Sequence, residues 1–213
     1  MTCPQCSAIE EVFDRENAEK ELKAYRKKGP QKVEKILIDA LKDAGVDGRS
    51  LIDIGGGIGA VPMELLEAGV LSVTSVEASS SYIAASKAEF ERKGLLGKAR
   101  YLYGDFVGLA SQVGEADIVT LVRSICCYPD YTALVALSSD RARGLYGLVY
   151  PRDTWWVRAA FRVFQPIYTL FGRNSFRFFV HSTDGVEAIL QDRGFDRRFF
   201  RTSGIWQVAV YGR

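Results

Sequence analysis

The stretch LIDIGGGIGAVP, residues 51–62, constrains the fold of this chain more than any other part of the sequence. A hydrophobic run ends in Asp53, and four of the five residues after Ile54 are glycines. Glycine reaches positive φ at no steric cost and lets a ligand come close to the backbone. We therefore interpret this turn as the link between a buried strand and a helix, and as the floor of a site for a nucleotide-like group.

The sequence around this turn alternates between strand and helix patterns. The predicted strands are 50–55, 71–77, 99–105, 116–122, 144–151 and a final pair within 197–213, and the predicted helices are 60–68, 79–93, 130–143 and 183–193. Two further helices, separated by Gly29 and Pro30, are predicted in the first 45 residues. This alternation predicts an α/β fold with a mainly parallel sheet. The final two strands leave no room for a crossover helix, so one of them should run antiparallel.

The composition limits the class of protein. The 213 residues are 47% hydrophobic and 25% charged, which suits one globular domain. No run of about 18 apolar residues predicts a membrane span. The N-terminal stretch lacks the basic start and apolar middle of a signal peptide, so we expect a cytoplasmic protein with reduced cysteines.

The charge is unevenly distributed. Residues 141–213 carry 12 arginines, no lysine and 5 acids, whereas residues 1–140 carry 16 basic residues and 21 acids. The arginine-rich part is also aromatic. It could face an anionic, partly apolar ligand or surface, or it could be a solvated basic face. Nucleic acid is disfavoured, because the net charge is only +2 and no recognition motif is present.

Two cofactors could use the glycine turn. The stretch GGGIGA fits the loose form of a dinucleotide site, which keeps a nicotinamide-dependent oxidoreductase open as an alternative. Three acids at predicted strand ends favour S-adenosylmethionine: Asp53 before the turn, Glu77 after the second strand and Asp105 after the third.

Over residues 45–213 the sequence resembles the class I S-adenosylmethionine-dependent methyltransferases. Their acid-x-Gly-x-Gly-x-Gly motif matches Asp53, Gly55, Gly57 and Gly59. The resemblance implies a Rossmann-like seven-stranded sheet, mainly parallel, with an antiparallel C-terminal hairpin and helices on both faces. It also implies that Glu77 binds the ribose hydroxyls, which suits a carboxylate, and that Asp105 accepts from the adenine amino group. The predicted cofactor-binding residues are Asp53, Gly55, Gly57, Gly59, Glu77, Ala78, Asp105 and Phe106. A helical cap over residues 1–45 would precede a cofactor-binding domain over residues 46–213.

The predicted acceptor site lies after the fourth strand, in RSICCYPD. Catalysis there would mainly place a small-molecule acceptor against the methyl group. The candidate catalytic residues are Tyr128 to orient the acceptor, Arg123 to hold an anion and His181 as a base. The alternatives are a turn at Tyr128 in which Asp130 caps the next helix, and a packed or solvent-facing His181.

Residues 153–171 form an insertion after the fifth strand. Arg158, Arg162, Gln165 and Thr169 share one helical face, and Pro166 should kink or end the helix. The segment could pack on the core, cover a flat substrate or make a peripheral membrane contact. ICCYPD, LVYPRDTWW and RTSGIW are also similar to the magnesium-protoporphyrin O-methyltransferases, a resemblance that implies a flat, apolar, anionic acceptor.

The four cysteines leave a further alternative open. Cys3 and Cys6 form one Cys-x-x-Cys, and Cys126 and Cys127 are adjacent. A single such pair supplies half of a tetrahedral zinc site, so we predict no metal. If the N-terminal helices bring the two pairs together, a thiolate metal site or a redox module becomes the competing hypothesis. We expect a monomer or a homodimer that methylates oxygen or nitrogen.

Overall fold

The computed structural model describes the backbone of residues 4–172 and 176–213, and the side chains of residues 8–166 and 176–213. The strands are β1 (Ser50–Ile54), β2 (Ser72–Glu77), β3 (Ala99–Tyr103), β4 (Ala116–Val122), β5 (Ala142–Pro151), β6 (Asp196–Ser203) and β7 (Trp206–Gly212). The helices are α1 (Pro4–Val12), α2 (Arg15–Lys28), α3 (Lys32–Asp43), α4 (Ala60–Glu67), α5 (Ser80–Arg92), α6 (Phe106–Leu109), α7 (Tyr131–Ser139), α8 (Trp155–Gly172) and α9 (Thr183–Gln191).

The seven strands form one sheet in the order β3-β2-β1-β4-β5-β7-β6. All neighbours from β3 to β5 pair in parallel, and β7 runs antiparallel to both β5 and β6. The predicted fold class is therefore confirmed, including the antiparallel hairpin. From β1 the next two strands are added on one side of the sheet, whereas β4 and the strands after it lie on the other side of β1. The boundary between β1 and β4 is the topological switch point, where ligands of such sheets bind.

Hydrophobic clusters cover both faces of the sheet. Side chains alternate along each strand, so Leu51 joins one cluster and Ile52 the other. The first cluster includes side chains of α2, α3 and α4, and the second includes α7 and α9. Because both faces are buried, the central strands are almost wholly apolar.

Three details differ from the sequence prediction. The single helix predicted before Gly29 is divided into α1 and α2. The division occurs because Asp14 is the N-cap of α2 and accepts from the Asn17 backbone N–H at 2.9 Å. The helix predicted over 130–143 ends at Ser139, because the chain from Ala142 pairs with β4 as the start of β5. Helix α8 continues through Pro166 to Gly172, so Pro166 does not end the helix, which was one of its two predicted effects.

Candidate active site

One large cavity, of about 620 Å³, lies beyond the carboxyl ends of β1, β2 and β4. Helices α1 and α2 form its opposite wall. The predicted site residues that line it are Gly55, Gly57, Glu77, Ala78, Asp105, Phe106, Arg123 and Tyr128. The structure thus brings most of the predicted residues together around a space of the size that ligand pockets have.

The glycine turn forms one side of this cavity. Gly55, Gly57 and Gly59 all have positive φ, between 62° and 79°, which a side chain would make costly. A Cβ on Gly57 would meet the Tyr82 ring at 3.4 Å, whereas one on Gly55 would lie 2.8 Å from Ser124 Oγ. Ser124 Oγ in turn donates to the Ile54 carbonyl at 2.5 Å, so the segment that follows β4 is bonded to the start of the turn.

Asp53 and Gly59 lie behind the turn rather than on the cavity wall. Asp53 is fully buried and accepts from Thr120 Oγ1 at 2.7 Å through Oδ1, while Oδ2 has no partner. Burial raises the pKa of Asp53 to about 7. Gly59 is the N-cap residue of α4, and a Cβ added to it would collide with the Phe90 ring. Both predicted cofactor ligands therefore support the turn from positions that do not face the cavity.

Glu77 links β2 to the glycine turn. Its Oε2 accepts from the Gly57 backbone N–H at 3.1 Å, and its Oε1 accepts from the Ser79 N–H at 2.9 Å. Burial raises the pKa of Glu77, and these backbone hydrogen bonds oppose the shift. Each carboxylate oxygen has more than one acceptor site, so both oxygens can still accept from a ligand.

Asp105 and Tyr128 contact each other in the cavity wall. Asp105 caps α6 by accepting from the Val107 N–H at 3.2 Å, and its Oδ2 accepts from the Tyr128 hydroxyl at 3.1 Å. The Phe106 side chain lies beside them in the cavity wall and is otherwise buried. Tyr128 thus contacts the carboxylate predicted to bind adenine, while Asp130 is the cap of α7.

Arg123 does not present a free cation to the cavity. Its guanidinium donates to Glu34 at 2.7 Å and to Gln31 at 3.1 Å, and it lies 3.7 Å from Glu21. Arg123 also has a φ of 59°, in the left-handed region that non-glycine residues seldom adopt. Carboxylates of the N-terminal helices already neutralise the guanidinium. This pairing disfavours the predicted role of Arg123 in holding an anionic acceptor.

His181 is packed under the loop that follows β4. Its Nε2 lies 3.0 Å from the Ile125 carbonyl and 2.9 Å from the Tyr128 carbonyl, so this nitrogen carries the proton and donates. The ring stacks on Tyr131, and burial lowers the pKa of His181. His181 does not line the cavity, so its position favours a structural role over the predicted role as a base.

The cysteines do not form a metal site among the side chains that the structure describes. No cluster of three or more His, Cys, Asp or Glu able to hold a metal occurs there. Cys126 and Cys127 are free thiols with sulfurs 3.9 Å apart. The hydrogen bond with Cys126, followed by burial, raises the pKa of Cys127. Cys3 and the side chain of Cys6 lie outside the described residues.

Sequence reasoning missed the contribution of α2 and α5. Glu21 from α2 lies directly over the glycine turn, 3.8 Å from where a Cβ on Gly57 would stand, and accepts from the Tyr82 hydroxyl at 3.1 Å. No local signal marks Glu21, because α2 is a polar helix with other acids. Only the packing of α2 against α5 selects this one.

Solved structures share the architecture. Magnesium protoporphyrin IX methyltransferase from Synechocystis PCC 6803 with bound S-adenosylmethionine (SAM) matches all of this chain and 98% of its own, at 15% identity and a TM-score of 0.72. The same enzyme with bound SAH matches 85% of this chain and 81% of its own, at 18% identity and a TM-score of 0.66. An O-methyltransferase family protein from Burkholderia thailandensis matches 95% of this chain and 61% of its own, at 16% identity and a TM-score of 0.72.

The sheet order, the glycine turn and the acids around it define an α/β protein of the Rossmann-like class. Residues 52–138 match the family model described as a methyltransferase domain, while no curated protein matches the sequence. The chain therefore contains a segment that matches a methyltransferase domain, within a fold that it shares with solved S-adenosylmethionine-dependent methyltransferases.

Proposed function

We propose that the glycine-turn cavity holds S-adenosylmethionine and that the acceptor is a small or medium-sized, apolar, anionic molecule, methylated on a carboxylate oxygen. The sulfonium of the bound cofactor supplies the methyl group. In this arrangement Glu77 accepts from the ribose hydroxyls, and Ala78, Asp105 and Phe106 border the adenine. The observation that carries the cofactor assignment is the carboxylate of Glu21 over Gly57.

This carboxylate discriminates between the two cofactor classes that the sequence left open. In a dinucleotide site the pyrophosphate rests on the glycine turn. Here it would lie against Glu21 and near Glu77, and like charges at such distances repel. A cofactor that carries an ammonium and a sulfonium finds opposite charges instead. The cavity therefore favours S-adenosylmethionine over a nicotinamide dinucleotide.

The choice of a carboxylate acceptor rests on the loop after β4. Among its described residues, Tyr128 is bonded to Asp105, and the raised pKa of Cys127 keeps that thiol protonated at neutral pH. His181, packed beneath the loop, donates to backbone carbonyls. A phenol or an ammonium acceptor must lose a proton before it attacks, whereas a carboxylate is already ionised. The loop therefore suits methyl ester formation.

Aromatic residues support a flat acceptor. Phe13, Phe178 and Trp206 line the cavity together with the loop after β4. A solved structure that shares the fold is named magnesium protoporphyrin IX methyltransferase, and protoporphyrin IX is a flat ring that carries propionate groups. A tetrapyrrole carboxylate is the specific acceptor that we propose.

Methyl transfer from labelled S-adenosylmethionine tests the acceptor class. We expect label on a magnesium porphyrin with free propionates and none on the same porphyrin supplied as its dimethyl ester. A phenol and a primary amine serve as competing acceptors in parallel reactions. Label on the phenol or the amine, with none on the porphyrin, would contradict the proposal.

We further propose that α8 contacts an anionic membrane surface. Trp155 and Val163 are 81% and 65% exposed, Arg158 and Arg162 lie on the same helix, and α8 contains no acid. Exposed tryptophan with arginine suits the interface of an anionic bilayer. Among the described helices, none is both long enough and apolar enough to cross a membrane.

Co-sedimentation with phosphatidylglycerol vesicles tests this contact. We expect the Trp155→Ala variant to bind more weakly than the Phe200→Ala variant, which removes an exposed aromatic from β6. Equal binding by both variants would contradict a contact through α8. We also propose that the protein is cytoplasmic and that it is a monomer or a homodimer. Light scattering of the purified protein distinguishes the monomer from the homodimer.

A further inference from the structure

The N-terminal helices place two carboxylates, Glu21 and Glu34, beside the guanidinium of Arg123 on one wall of the cavity. Both carboxylate oxygens of Glu34 already accept hydrogen bonds. Its Oε1 accepts from Arg123 at 2.7 Å, and its Oε2 accepts from the Gln31 backbone N–H at 2.7 Å. The guanidinium is therefore neutralised by Glu34. Glu21, 3.7 Å from the same guanidinium, is a surplus negative charge on this wall.

The Glu21 carboxylate is also incompletely bonded. Its Oε2 accepts from the Tyr82 hydroxyl, whereas its Oε1 lies beyond hydrogen-bond distance of Arg123 and faces Gly57. Burial raises the pKa of Glu21, which means that its surroundings in the protein disfavour its charge. A partly buried carboxylate of this kind gains from a cationic partner. Lys20 also lines the cavity, but it is exposed and its charge is screened by solvent.

We propose that Glu21 recognises the α-ammonium group at the amino-acid end of the cofactor, with Arg123 and Tyr82 as positioning residues. This inference rests on the proposed cofactor site and adds a specificity-determining residue from α2. The ammonium replaces the hydrogen bond that Oε1 lacks. Arg123, itself held by Glu34, partly opposes the rise in the pKa of Glu21 that burial causes, and Tyr82 fixes the direction of its carboxylate.

Binding of two ligands to three proteins tests the assignment. The ligands are S-adenosylhomocysteine and an analogue in which hydrogen replaces the α-amino group, and affinity is measured by calorimetry. We expect the wild-type protein to prefer S-adenosylhomocysteine by at least about tenfold, the range of a charged hydrogen bond. In the Glu21→Gln variant this preference should fall to about threefold or less. The Glu19→Gln variant, which removes an exposed carboxylate from the same helix, should keep it.

The outcomes separate the two proposals. If the wild-type protein binds neither ligand, the cofactor site itself is wrong. If it binds S-adenosylhomocysteine but the preference is absent, or survives in Glu21→Gln, the role of Glu21 is overturned. Thermal melting checks that Glu21→Gln folds. Glu21→Asp is the second variant, and its shorter side chain should lose most of the preference as well.

Discussion

The packing of Asp53 beneath the glycine turn predicts the effect of one added methyl group. A Cβ on Gly56 would stand 1.6 Å from Asp53 Oδ2 and 2.5 Å from its Cγ. Relief of this clash requires a movement of roughly 2 Å, because non-bonded atoms settle at about 3.5 Å. Asp53 is fully buried and tied to Thr120, so the aspartate has no open space to turn into.

The expected cost of Gly56→Ala follows from two contributions. Overpacking of a buried site costs about 1–3 kcal/mol, and loss of the Thr120–Asp53 hydrogen bond adds about 0.5–1.5 kcal/mol. The variant should therefore lose about 2–4 kcal/mol of the free energy of unfolding. With a slope of about 1–3 kcal/mol per M, the urea midpoint should fall by about 1 M or more.

Urea unfolding, followed by circular dichroism, measures this loss. Gly97→Ala is the control, because a Cβ there meets nothing within 4 Å, and it should change stability by less than about 0.5 kcal/mol. In the Asp53→Ala background the Gly56→Ala substitution should cost far less, since the clashing atoms are gone. If Gly56→Ala is as stable as Gly97→Ala, or costs the same in both backgrounds, the packing described here is wrong.

Three further predictions follow from the same site. Glu77→Ala should weaken S-adenosylhomocysteine binding by about 1–3 kcal/mol in calorimetry, through lost hydrogen bonds to a charged group, and an unchanged Kd would remove Glu77 as a ribose ligand. The raised pKa of Asp53 means that the folded protein binds the proton of this carboxyl group more tightly than the unfolded chain does. This proton binding stabilises the folded protein fully below about pH 4, and the stabilisation is lost as the pH rises to about 7. Asp53→Asn should therefore gain stability relative to the wild-type protein across that range, by up to about 4 kcal/mol, and a constant difference in urea unfolding would refute the shift. His181→Phe should cost about 1–3 kcal/mol of stability by removing the two hydrogen bonds that the imidazole donates to the Ile125 and Tyr128 carbonyls, yet keep the shape of the pH–rate profile; loss of a limb near neutral pH would restore His181 as a base.

The sequence determined the fold because the fold depends on local patterns. Strand and helix periods alternate along the chain, and the spacing within 197–213 is too short for a crossover helix. These two facts lead to a parallel sheet with one antiparallel strand. The acids Glu77 and Asp105 could be placed on one cavity because the carboxyl ends of parallel strands share an edge of the sheet.

The chemistry of individual side chains depended on tertiary contacts. Arg123 pairs with Glu34, and His181 donates to carbonyls more than 50 residues away in sequence, so neither partner could be predicted locally. Asp53 was predicted beside the ligand but lies under the turn, because side chains alternate along β1 and Thr120 on the neighbouring strand donates a hydrogen bond to its carboxylate there. Glu21 is one acid among several on a polar helix. Only the docking of α2 over the glycine turn places its charge in the cavity, since the energy of a charge depends on which groups surround it in space.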